Sequence, residues 1–361
     1  MGREIFERLD MKQIAFYLPQ FHVIPENDEW WGEGFTEWVN VKKNVPLFKE
    51  HNQPEVPIQG YYDLSDVNVM INQAKLAKEY GLYGFCYYHY WFEGKLLLEK
   101  PLEQMLNTPG VDIPFCLCWA NETWARSWDG AEKQVLISQN YNEDDEMLKL
   151  HFEYFLKFFK DKRYIQENNK PVLIIYKPHL ISNIDHIIKY WNKLACNNGF
   201  SGIEFGYQHH SSFNYPDKTV GFDFGIEFEP WYTIDHCNMA SQNIFTKIKR
   251  KLFRRPLCID YDLVWENILG RTPNEKVYPG AFVSWDNTPR MGERGTVLFG
   301  ASPEKFEKHY KKQIERAKNI YKSEYIFINA WNEWAEGAHL EPDEKNGYGY
   351  LEAIKRCSNY E

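Results

Sequence analysis

The chain has 361 residues, a formal net charge of −9 at pH 7 and 43% hydrophobic residues. This length suits one large barrel or two modest domains, and the apolar content is too high for a disordered chain. The acidic balance argues against nucleic acid as a partner, because nucleic-acid binding favours a basic surface. Seven scattered cysteines, an odd number found mostly in apolar runs, indicate reduced and buried thiols.

The N-terminal segment predicts no targeting signal. Residues 1–12 are charged and contain no apolar stretch of the kind that a signal peptide requires. No window of the chain approaches about 18 uncharged apolar residues, so no transmembrane segment is expected. These observations, with the reduced cysteines, favour a cytoplasmic location.

Strand and helix patterns alternate along the chain. Apolar and aromatic runs predict eight strands, at 14–18, 84–89, 114–119, 172–176, 203–207, 222–228, 281–285 and 325–330. Helical spacing of apolar residues predicts helices at 67–80, 96–106, 144–159, 184–195, 262–269, 306–320 and 348–357. No helix pattern lies between the fifth and sixth strands. Parallel pairing with right-handed crossovers then predicts an α/β fold, a single (β/α)8 TIM barrel with long βα loops. No repeat or linker divides the chain, so one catalytic domain is expected over 1–361, with an irregular insertion at 231–277.

The residues that follow each strand are the candidates for a site, because the active site of such a barrel forms at the C-terminal strand ends. Acids, amides, histidines and aromatic residues recur there. The candidates for substrate binding are Tyr17, Gln20, His22, Tyr88, His89, Trp91, Trp119, Asn121, Glu122, Trp124, Tyr176, Glu227, Trp285, Asp286, Trp331 and Asn332. Aromatic residues make up 17% of the chain. A large aromatic core explains that content as well, but a polar pocket with aromatic platforms suits sugar rings. An oligosaccharide or polysaccharide is therefore the predicted partner.

Glu333 and Glu336 are the predicted catalytic pair, since glycosidic chemistry usually uses two carboxyl groups. On a regular strand they would face opposite sides, but a turn helped by Gly337 would bring both into one pocket. A salt-bridged loop pair is the alternative. Glu122 is a rival for the acid, although binding of sugar hydroxyls is the favoured role for it. Glu227 and its neighbour at position 229 either bind sugar or are ordinary charges at the barrel rim.

No metal or other cofactor is predicted. His89, His209 and His210 suggest a metal at first sight, but neither H-x-x-x-H spacing nor a tight Asp/His grouping accompanies them. Cys116 and Cys118 lack a second pair of ligands and fit two same-face strand positions.

Two sets of basic residues have open roles. Arg126, Arg290 and Arg294 are candidates for binding an anionic sugar or a phosphate, although surface arginines are the more frequent case. The run 247–255 carries six positive charges in nine residues. A solvated face is the more common role of such a run, and weak contact with anionic lipid headgroups is the alternative.

Seven motifs together resemble the WbsX-like family, which is related to glycoside hydrolase family 99, the endo-α-mannosidases. The motifs lie at 15–22, 29–32, 34–38, 84–91, 116–122, 284–288 and 329–337, and the resemblance runs over residues 12–355. It implies a (β/α)8 barrel without a metal requirement. WbsX-like proteins are often labelled glycosyltransferases because they occur with the biosynthesis of surface polysaccharides, which include lipopolysaccharide.

The resemblance also implies separate roles for the two glutamates. The hydrolase relatives carry a similar Asn-Glu-Trp-x-Glu segment, and the roles carry over by matching position. Glu333 would deprotonate the sugar 2-hydroxyl, giving an anhydro-sugar intermediate, and Glu336 would be the general acid/base at the glycosidic oxygen. Ala335 departs from the pattern, because many hydrolase relatives have His there, and this leaves the linkage and the substrate open.

Three functions remain as hypotheses. The first is a glycoside hydrolase or transglycosidase acting on a mannose-like or related bacterial polysaccharide. The second is a glycosyltransferase in O-antigen or capsule assembly, against which stands the lack of a glycine-rich nucleotide loop. The third is a non-catalytic barrel that binds glycans.

Overall fold

Eight parallel strands form the centre of the molecule. The computed structural model describes residues 11–126, 134–141, 144–209, 221–242, 244–273 and 276–358. The barrel strands are β1 Lys12–Tyr17, β2 Gly84–Phe92, β3 Phe115–Trp119, β4 Lys170–Ile175, β5 Glu204–His209, β6 Phe224–Glu227, β7 Val277–Tyr278 with Gly280–Phe282, and β8 Tyr325–Asn329. Each pairs in parallel with its neighbours in sequence order, and β1 bonds to both β2 and β8.

Strand β7 closes the barrel in two halves. Pro279 has no N–H to donate and divides the strand, whose first half pairs with β6 and whose second half pairs with β8. A Cβ atom at Gly280 would lie 1.8 Å from the carbonyl oxygen of Glu227, so this close approach requires glycine. The predicted (β/α)8 barrel is confirmed.

Helices cover the barrel between the strands. They are α1 Pro25–Trp31, α2 Glu37–Lys43, α3 Val67–Glu79, α4 Lys100–Asn107, α5 Asp145–Phe159, α6 Ile184–Asn197, α7 Trp231–His236, α8 Ile244–Leu252, α9 Tyr261–Gly270, α10 Thr288–Met291, α11 Pro303–Arg316 and α12 Gly349–Ser358. Side chains of Asp66, Asp144, Asp260 and Ser302 accept backbone N–H groups in the first turns of α3, α5, α9 and α11. These caps satisfy donors that have no partner within the helix, which explains where the helices begin.

Short antiparallel strand pairs lie near the ends of several barrel strands. The antiparallel pairs are Lys95–Leu97 with the end of β2, Gln166–Glu167 with the start of β4, Trp124–Arg126 with Gln134–Ile137, and Asn332–Glu333 with Ala338–His339. The connection from β6 to β7, which includes the expected irregular insertion, contains α7, α8, α9 and the strand Leu257–Asp260. That strand pairs in parallel with Thr296–Phe299 in the connection between β7 and α11. Residues 210–220, in the connection without a helix pattern, lie outside the described residues.

All seven cysteines are free thiols. Burial, the expectation from their apolar surroundings, holds for Cys86, Cys116, Cys118 and Cys357, whereas the other three are exposed. Cys116 and Cys118 lie two positions apart on β3, and burial raises the pKa of the Cys116 thiol well above its ordinary value.

Candidate active site

Strand β8 leads directly into the segment that carries both predicted catalytic glutamates. Asn332–Glu333 pairs antiparallel with Ala338–His339, and a 3-10 turn, Trp334–Glu336, joins the two short strands. This hairpin ends the alternation of side-chain directions that a regular strand imposes. Glu333 and Glu336 therefore line the same cavity.

Gly337 completes the hairpin in a backbone conformation that other residues avoid. Its φ angle is +60°, and a Cβ atom there would lie 2.9 Å from the backbone nitrogen of Asp286. The Asp286 N–H donates to the Glu336 carbonyl at 2.7 Å, and the Ser284 hydroxyl donates to the Gly337 carbonyl. The turn that carries Glu333 and Glu336 is thereby held against the chain that follows β7.

Gly337→Ala should destabilise the protein more than Gly347→Ala. Gly347 has nearly the same φ angle, +59°, but no atom lies within 4 Å of a Cβ added there. Gly347→Ala, the control, should lose about 1 kcal/mol of unfolding free energy from the left-handed conformation alone. Gly337→Ala should lose a further ~1–3 kcal/mol, because the new methyl group overpacks the contact with Asp286. Denaturant unfolding of the two variants measures the difference, and equal losses would contradict the close contact.

A single arginine connects the two glutamates. Arg290, on α10, donates from Nη2 to Glu333 Oε1 at 3.0 Å and from Nη1 to Glu336 Oε1 at 2.6 Å. Its Nε donates to Glu37 Oε2 at 3.2 Å. The planar guanidinium has donors in fixed directions, so it sets the relative positions of the three carboxyl groups. Three segments that are far apart in the sequence meet at this side chain.

The charge balance of this cluster favours a bound proton. Burial raises the pKa of Glu333 well above its ordinary value, Arg290 opposes the shift, and Glu336 adds to it. Burial also raises the pKa of Glu336, again opposed by Arg290 and reinforced by Glu37. One guanidinium cannot neutralise three carboxylates that are shielded from water. The cluster is thus suited to hold one carboxyl protonated while another is ionised.

Glu333→Gln should make stability less sensitive to pH. A folded-state pKa above the unfolded value means that the native state binds the proton more tightly, so stability falls as pH rises from the unfolded value of 4.5 through the raised value. Gln removes that loss, so the variant should gain stability relative to the wild type as pH rises above the unfolded value of 4.5. Thermal unfolding at a series of pH values on both sides of 4.5 measures the gain. Glu33→Gln, at an exposed position, is the control, and a Glu333→Gln curve parallel to the wild type would contradict the shift.

A buried hydrogen-bond network supports the turn that carries Glu333 and Glu336. The Asn332 side chain accepts the Leu18 N–H at 2.8 Å and donates to the Leu18 carbonyl at 3.0 Å, which joins the turn to the end of β1. Glu341 accepts from Trp334 Nε1 and from the Tyr62 hydroxyl, each at 2.7 Å. Asn332, predicted to bind substrate, therefore has both amide atoms occupied in positioning the turn.

The cleft at the C-terminal ends of the strands has a volume of about 520 Å³. The predicted residues that line it are Gln20, Tyr88, Glu122, Trp124, Tyr176, Trp285, Glu333 and Glu336. Further lining residues are Leu18, Tyr90, Ala120, Lys177, Phe228, Trp231, Asp235, Asn287, Arg290 and Asn329. A second cavity of about 430 Å³ shares Gln20, Glu122, Trp124 and Arg290 with it. The two cavities thus adjoin at these four side chains.

Aromatic side chains form two walls of the cleft. Tyr90 and Trp124 pack edge to face, with ring centroids 5.1 Å apart, and Trp231 and Trp285 do so at 5.4 Å. The indole N–H of Trp285 is buried and has no hydrogen-bond partner among the described residues. The walls offer apolar ring faces together with an unsatisfied donor.

Glu122 has different surroundings from Glu333 and Glu336. Lys177 forms an ion pair with its carboxylate across the ends of β3 and β4. The Glu122 side chain is 38% exposed, against 7% for Glu333. Glu122 is thus paired with a cation other than Arg290 and lies closer to solvent than Glu333.

Strand alternation explains why part of the predicted set lies elsewhere. Tyr88 and Tyr90 of β2 point into the cleft, whereas His89 and Trp91 point outward to the helices. A hydrogen bond of 2.9 Å joins Nε2 of His89 to Nε2 of His151. Trp91 stacks on His151 with ring centroids 4.4 Å apart. Burial lowers the pKa of His89 to about 3, so this histidine is neutral in the core.

Asn121 and Asp286 position loops instead of lining the cleft. Asn121 binds both the carbonyl and the N–H of Lys177, at 2.8 and 2.7 Å, in the same way that Asn332 binds Leu18. Asp286 accepts from His51 Nε2 and Gln53 Nε2, both at 2.7 Å. Their polar groups are satisfied by the protein itself.

Five more predicted binding residues are buried away from the cleft, namely Tyr17, His22, Trp119, Glu227 and Trp331. The Tyr17 hydroxyl donates to Gln73 at 2.6 Å, and burial lowers the pKa of His22 to about 4. Glu227 binds Arg271 and accepts from the Tyr321 hydroxyl, both at 2.6 Å, between the barrel and its helices. Trp119 and Trp331 are core residues, so much of the aromatic content serves packing.

The predicted site residues did not include Glu37, Tyr90, Lys177 and Trp231, which line the two cavities. Arg290 was left open between an anion-binding and a surface role, and in the structure it lies between Glu333 and Glu336. The pairing of Glu37 with Arg290 spans 253 positions and gives no local signal. Tyr90 could have been found, because it lies two positions from Tyr88 on one strand face. Of the histidines considered for a metal, His209 packs on Tyr232, and His210 lies outside the described residues.

The part of the chain that the structure describes shows neither a metal cluster nor a membrane-spanning helix. Within the described residues, no group of three or more His, Cys, Asp or Glu side chains is arranged to hold a metal ion. In the same part of the chain, no helix combines the length and the apolar character needed to cross a membrane.

The fold resembles that of solved glycoside hydrolases and of a glycoside hydrolase-like protein. The endo-alpha-mannosidase of family GH99 from Bacteroides thetaiotaomicron superposes with a TM-score of 0.56 and 13% identity, covering 96% of this chain and 95% of that one. A glycoside hydrolase-like protein gives a TM-score of 0.60 and 14% identity, covering 100% and 98%. At these identities the likeness establishes the (β/α)8 fold.

Sequence comparison places the chain more narrowly. The family model described as glycosyltransferase WbsX matches residues 13–354, and the chain belongs to this family. Protein WxcX of Xanthomonas campestris pv. campestris, from strains B100 and ATCC 33913, is 39% identical over 366 residues. The match covers 97% of this chain and 50% of WxcX, so the chain spans about half the length of these curated relatives.

Proposed function

We propose that this chain is a carbohydrate-active enzyme that cleaves or transfers glycosidic bonds in a mannose-like or related bacterial polysaccharide. The observation that carries the proposal is the pair Glu333 and Glu336, bound to one guanidinium in an aromatic-lined cleft. Glycosidic chemistry requires one group that gives a proton and one that takes it. Burial raises the pKa of Glu336, which suits a group that gives a proton, while the charge of Arg290 opposes the rise in the pKa of Glu333 and favours its ionised form.

The proposed reaction has two steps. Glu333 takes the proton of the sugar 2-hydroxyl, whose oxygen attacks the anomeric carbon, while Glu336 protonates the departing glycosidic oxygen. The anhydro-sugar that forms is then opened at the anomeric carbon by water or by an acceptor hydroxyl, which gives its proton to Glu336. Glu333 returns the first proton to the sugar oxygen. Both glutamates end in their starting states, and the acceptor decides between hydrolysis and transfer.

The form of the cleft supports an extended glycan as substrate. The second cavity adjoins the first at Gln20, Glu122, Trp124 and Arg290, so sugar units have room on both sides of the glutamates. Substrate binding is assigned to the lining residues, with aromatic faces for the rings and Glu122 for hydroxyl groups. The solved relative described as an endo-alpha-mannosidase has the same fold, which agrees with action within a chain.

The proposal is tested with a panel of α-mannans and bacterial surface glycans. The wild type should release shorter oligosaccharides from at least one of them, as measured by chromatography and mass spectrometry. Glu333→Gln and Glu336→Gln should abolish the release, while Glu33→Gln, at an exposed position, should leave it unchanged. Unchanged release by both catalytic variants would contradict the assigned pair.

Glycosyl transfer from a nucleotide sugar is the second candidate, favoured by the description of the family. The segment Asp260-Tyr-Asp262 has the spacing of a metal–nucleotide motif, but Asp260 caps α9 and Asp262 binds Lys305 and His309. Calorimetry with a set of nucleotide sugars separates the candidates. Saturable binding of a nucleotide sugar favours the glycosyltransferase. A non-catalytic barrel would instead bind oligosaccharides after both glutamates are replaced, and the wild type would convert none of them.

A further inference from the structure

Helix α8 presents an exposed apolar face that the catalytic proposal does not use. The side chains of Phe245, Ile248, Leu252 and Phe253 are 80%, 59%, 73% and 59% exposed. They are the four most exposed large hydrophobic side chains among the described residues, and they lie within nine positions of each other. A purely solvated face, the more common role of a basic run, does not account for such a cluster.

The apolar residues share one side of the helix. Positions 245, 248 and 252 follow the i, i+3, i+7 spacing that places side chains on one helix face, and Phe253 follows directly after the helix. Burying such a face requires a partner with an apolar layer.

The charge of the segment identifies the chemistry of that partner. The run 247–255 carries six positive charges, although the whole chain has a formal net charge of −9. Lys251, Arg254 and Arg255 are exposed beside the apolar residues. Basic residues flanking an exposed apolar helix face are the combination that binds the interface of an anionic bilayer. If the same face of a second copy packed on this one, the two basic runs would lie against each other, and like charges repel.

The segment is joined to the elements that form the cleft. It follows α7, whose Trp231 and Asp235 line the cleft. At its other end Arg254 Nε donates to Glu293 Oε2 at 2.7 Å, three residues after Arg290. Docking of α8 on a surface would therefore bring the cleft rim close to that surface.

We propose that the exposed face of α8 docks on anionic lipid bilayers by inserting Phe245, Ile248, Leu252 and Phe253 between headgroups, with the basic run contacting lipid phosphates. Docking would bring the cleft to glycans carried at the membrane surface. That consequence rests on the proposed function, whereas the lipid contact does not.

Vesicle cosedimentation of the full chain tests the proposal. The protein should bind phosphatidylcholine vesicles that contain phosphatidylglycerol, and bind pure phosphatidylcholine vesicles far more weakly. Phe245→Ser with Leu252→Ser should weaken binding by about tenfold or more, because two apolar side chains no longer insert. Lys251→Glu with Arg255→Glu should weaken it and reduce its dependence on salt.

The matched controls are Ile320→Ser, at an exposed apolar position on the π-helical turn Ala317–Tyr321, and Lys308→Glu, at an exposed basic position on α11. Both should bind vesicles like the wild type. Glu333→Gln should also bind normally, which separates failure of the lipid contact from failure of the catalytic proposal. Equal sedimentation of the wild type and the Phe245/Leu252 variant would overturn the proposal. So would a concentration-dependent dimer that this variant abolishes, because a second copy would then cover the face.

Discussion

Glu336→Gln should lower kcat on a natural glycan by about 10²–10⁴-fold, the usual contribution of a positioned general acid. The carboxyl group of Glu336 is placed to donate because burial raises its pKa, and Gln keeps its size but has no acidic proton. Substrate affinity should change little, since the loss concerns the transition state. Steady-state kinetics on the glycan that the wild type degrades give both quantities.

A substrate with a good leaving group isolates this role. A glycosyl fluoride of the same sugar needs little protonation at the departing atom, so Glu336→Gln should retain most of the rate of the first fluoride release, although it lacks the base that takes the proton of water in the second step. Glu333→Gln should lose activity on both substrates, because the attack on the anomeric carbon still requires the base. The control is Glu122→Gln, which changes the other glutamate of the cleft and should alter KM more than kcat. Equal losses of Glu336→Gln on glycan and fluoride would contradict its role as the acid.

Arg290→Met should be nearly as damaging, with kcat/KM reduced by about 10²–10³-fold, as found when one preorganised charged or polar contact is removed from a site. Arg290 is the cation whose charge lowers the pKa of Glu333 and Glu336 against the effect of burial. Without it, both pKa values should rise further, and a larger share of the base should be protonated at any given pH. The acidic limb of the pH–rate profile should therefore move to higher pH.

Two further variants distinguish charge from geometry at this position. Arg290→Lys keeps the charge but cannot bind three carboxyl groups in fixed directions, so it should recover the pH profile better than the rate. Arg294→Met changes an exposed arginine four positions away and should behave like the wild type. A profile for Arg290→Met that keeps its acidic limb would mean that Arg290 does not set the protonation of the pair.

The barrel could be predicted from sequence because its strands are apolar runs separated by helices with clear periodicity. All eight strands were expected, and the errors concern their ends. The seventh strand was placed at 281–285, whereas it begins at Val277 and is interrupted by Pro279. The fourth helix begins at Lys100 rather than at 96, because Lys95–Leu97 turns back on the end of β2. Pairing with a strand distant in sequence, β6, overrides local propensity in the first place, and a hairpin with the adjacent β2 overrides it in the second.

The sequence predicted only part of the candidate site. The strand ends indicate which residues lie near the rim of the barrel. On this basis Tyr88, Glu122 and Trp285 were predicted as site residues, and they line the cleft. The strand ends do not determine which way each side chain points, so His89 and Trp91 were selected together with Tyr88 although they face the helices. Nor do they reveal contacts over long sequence distances.

The most direct test of the roles of Glu333 and Glu336 is a crystal structure of Glu333→Gln with a bound oligosaccharide from the glycan that the wild type degrades. We expect sugar units on both sides of the hairpin, with a glycosidic oxygen within hydrogen-bond distance of the Glu336 carboxyl group. The 2-hydroxyl of the adjoining sugar should contact the side-chain amide that replaces the Glu333 carboxyl group in this variant. A linkage placed instead against Glu122 and Lys177, with no sugar atom near Glu336, would contradict these roles.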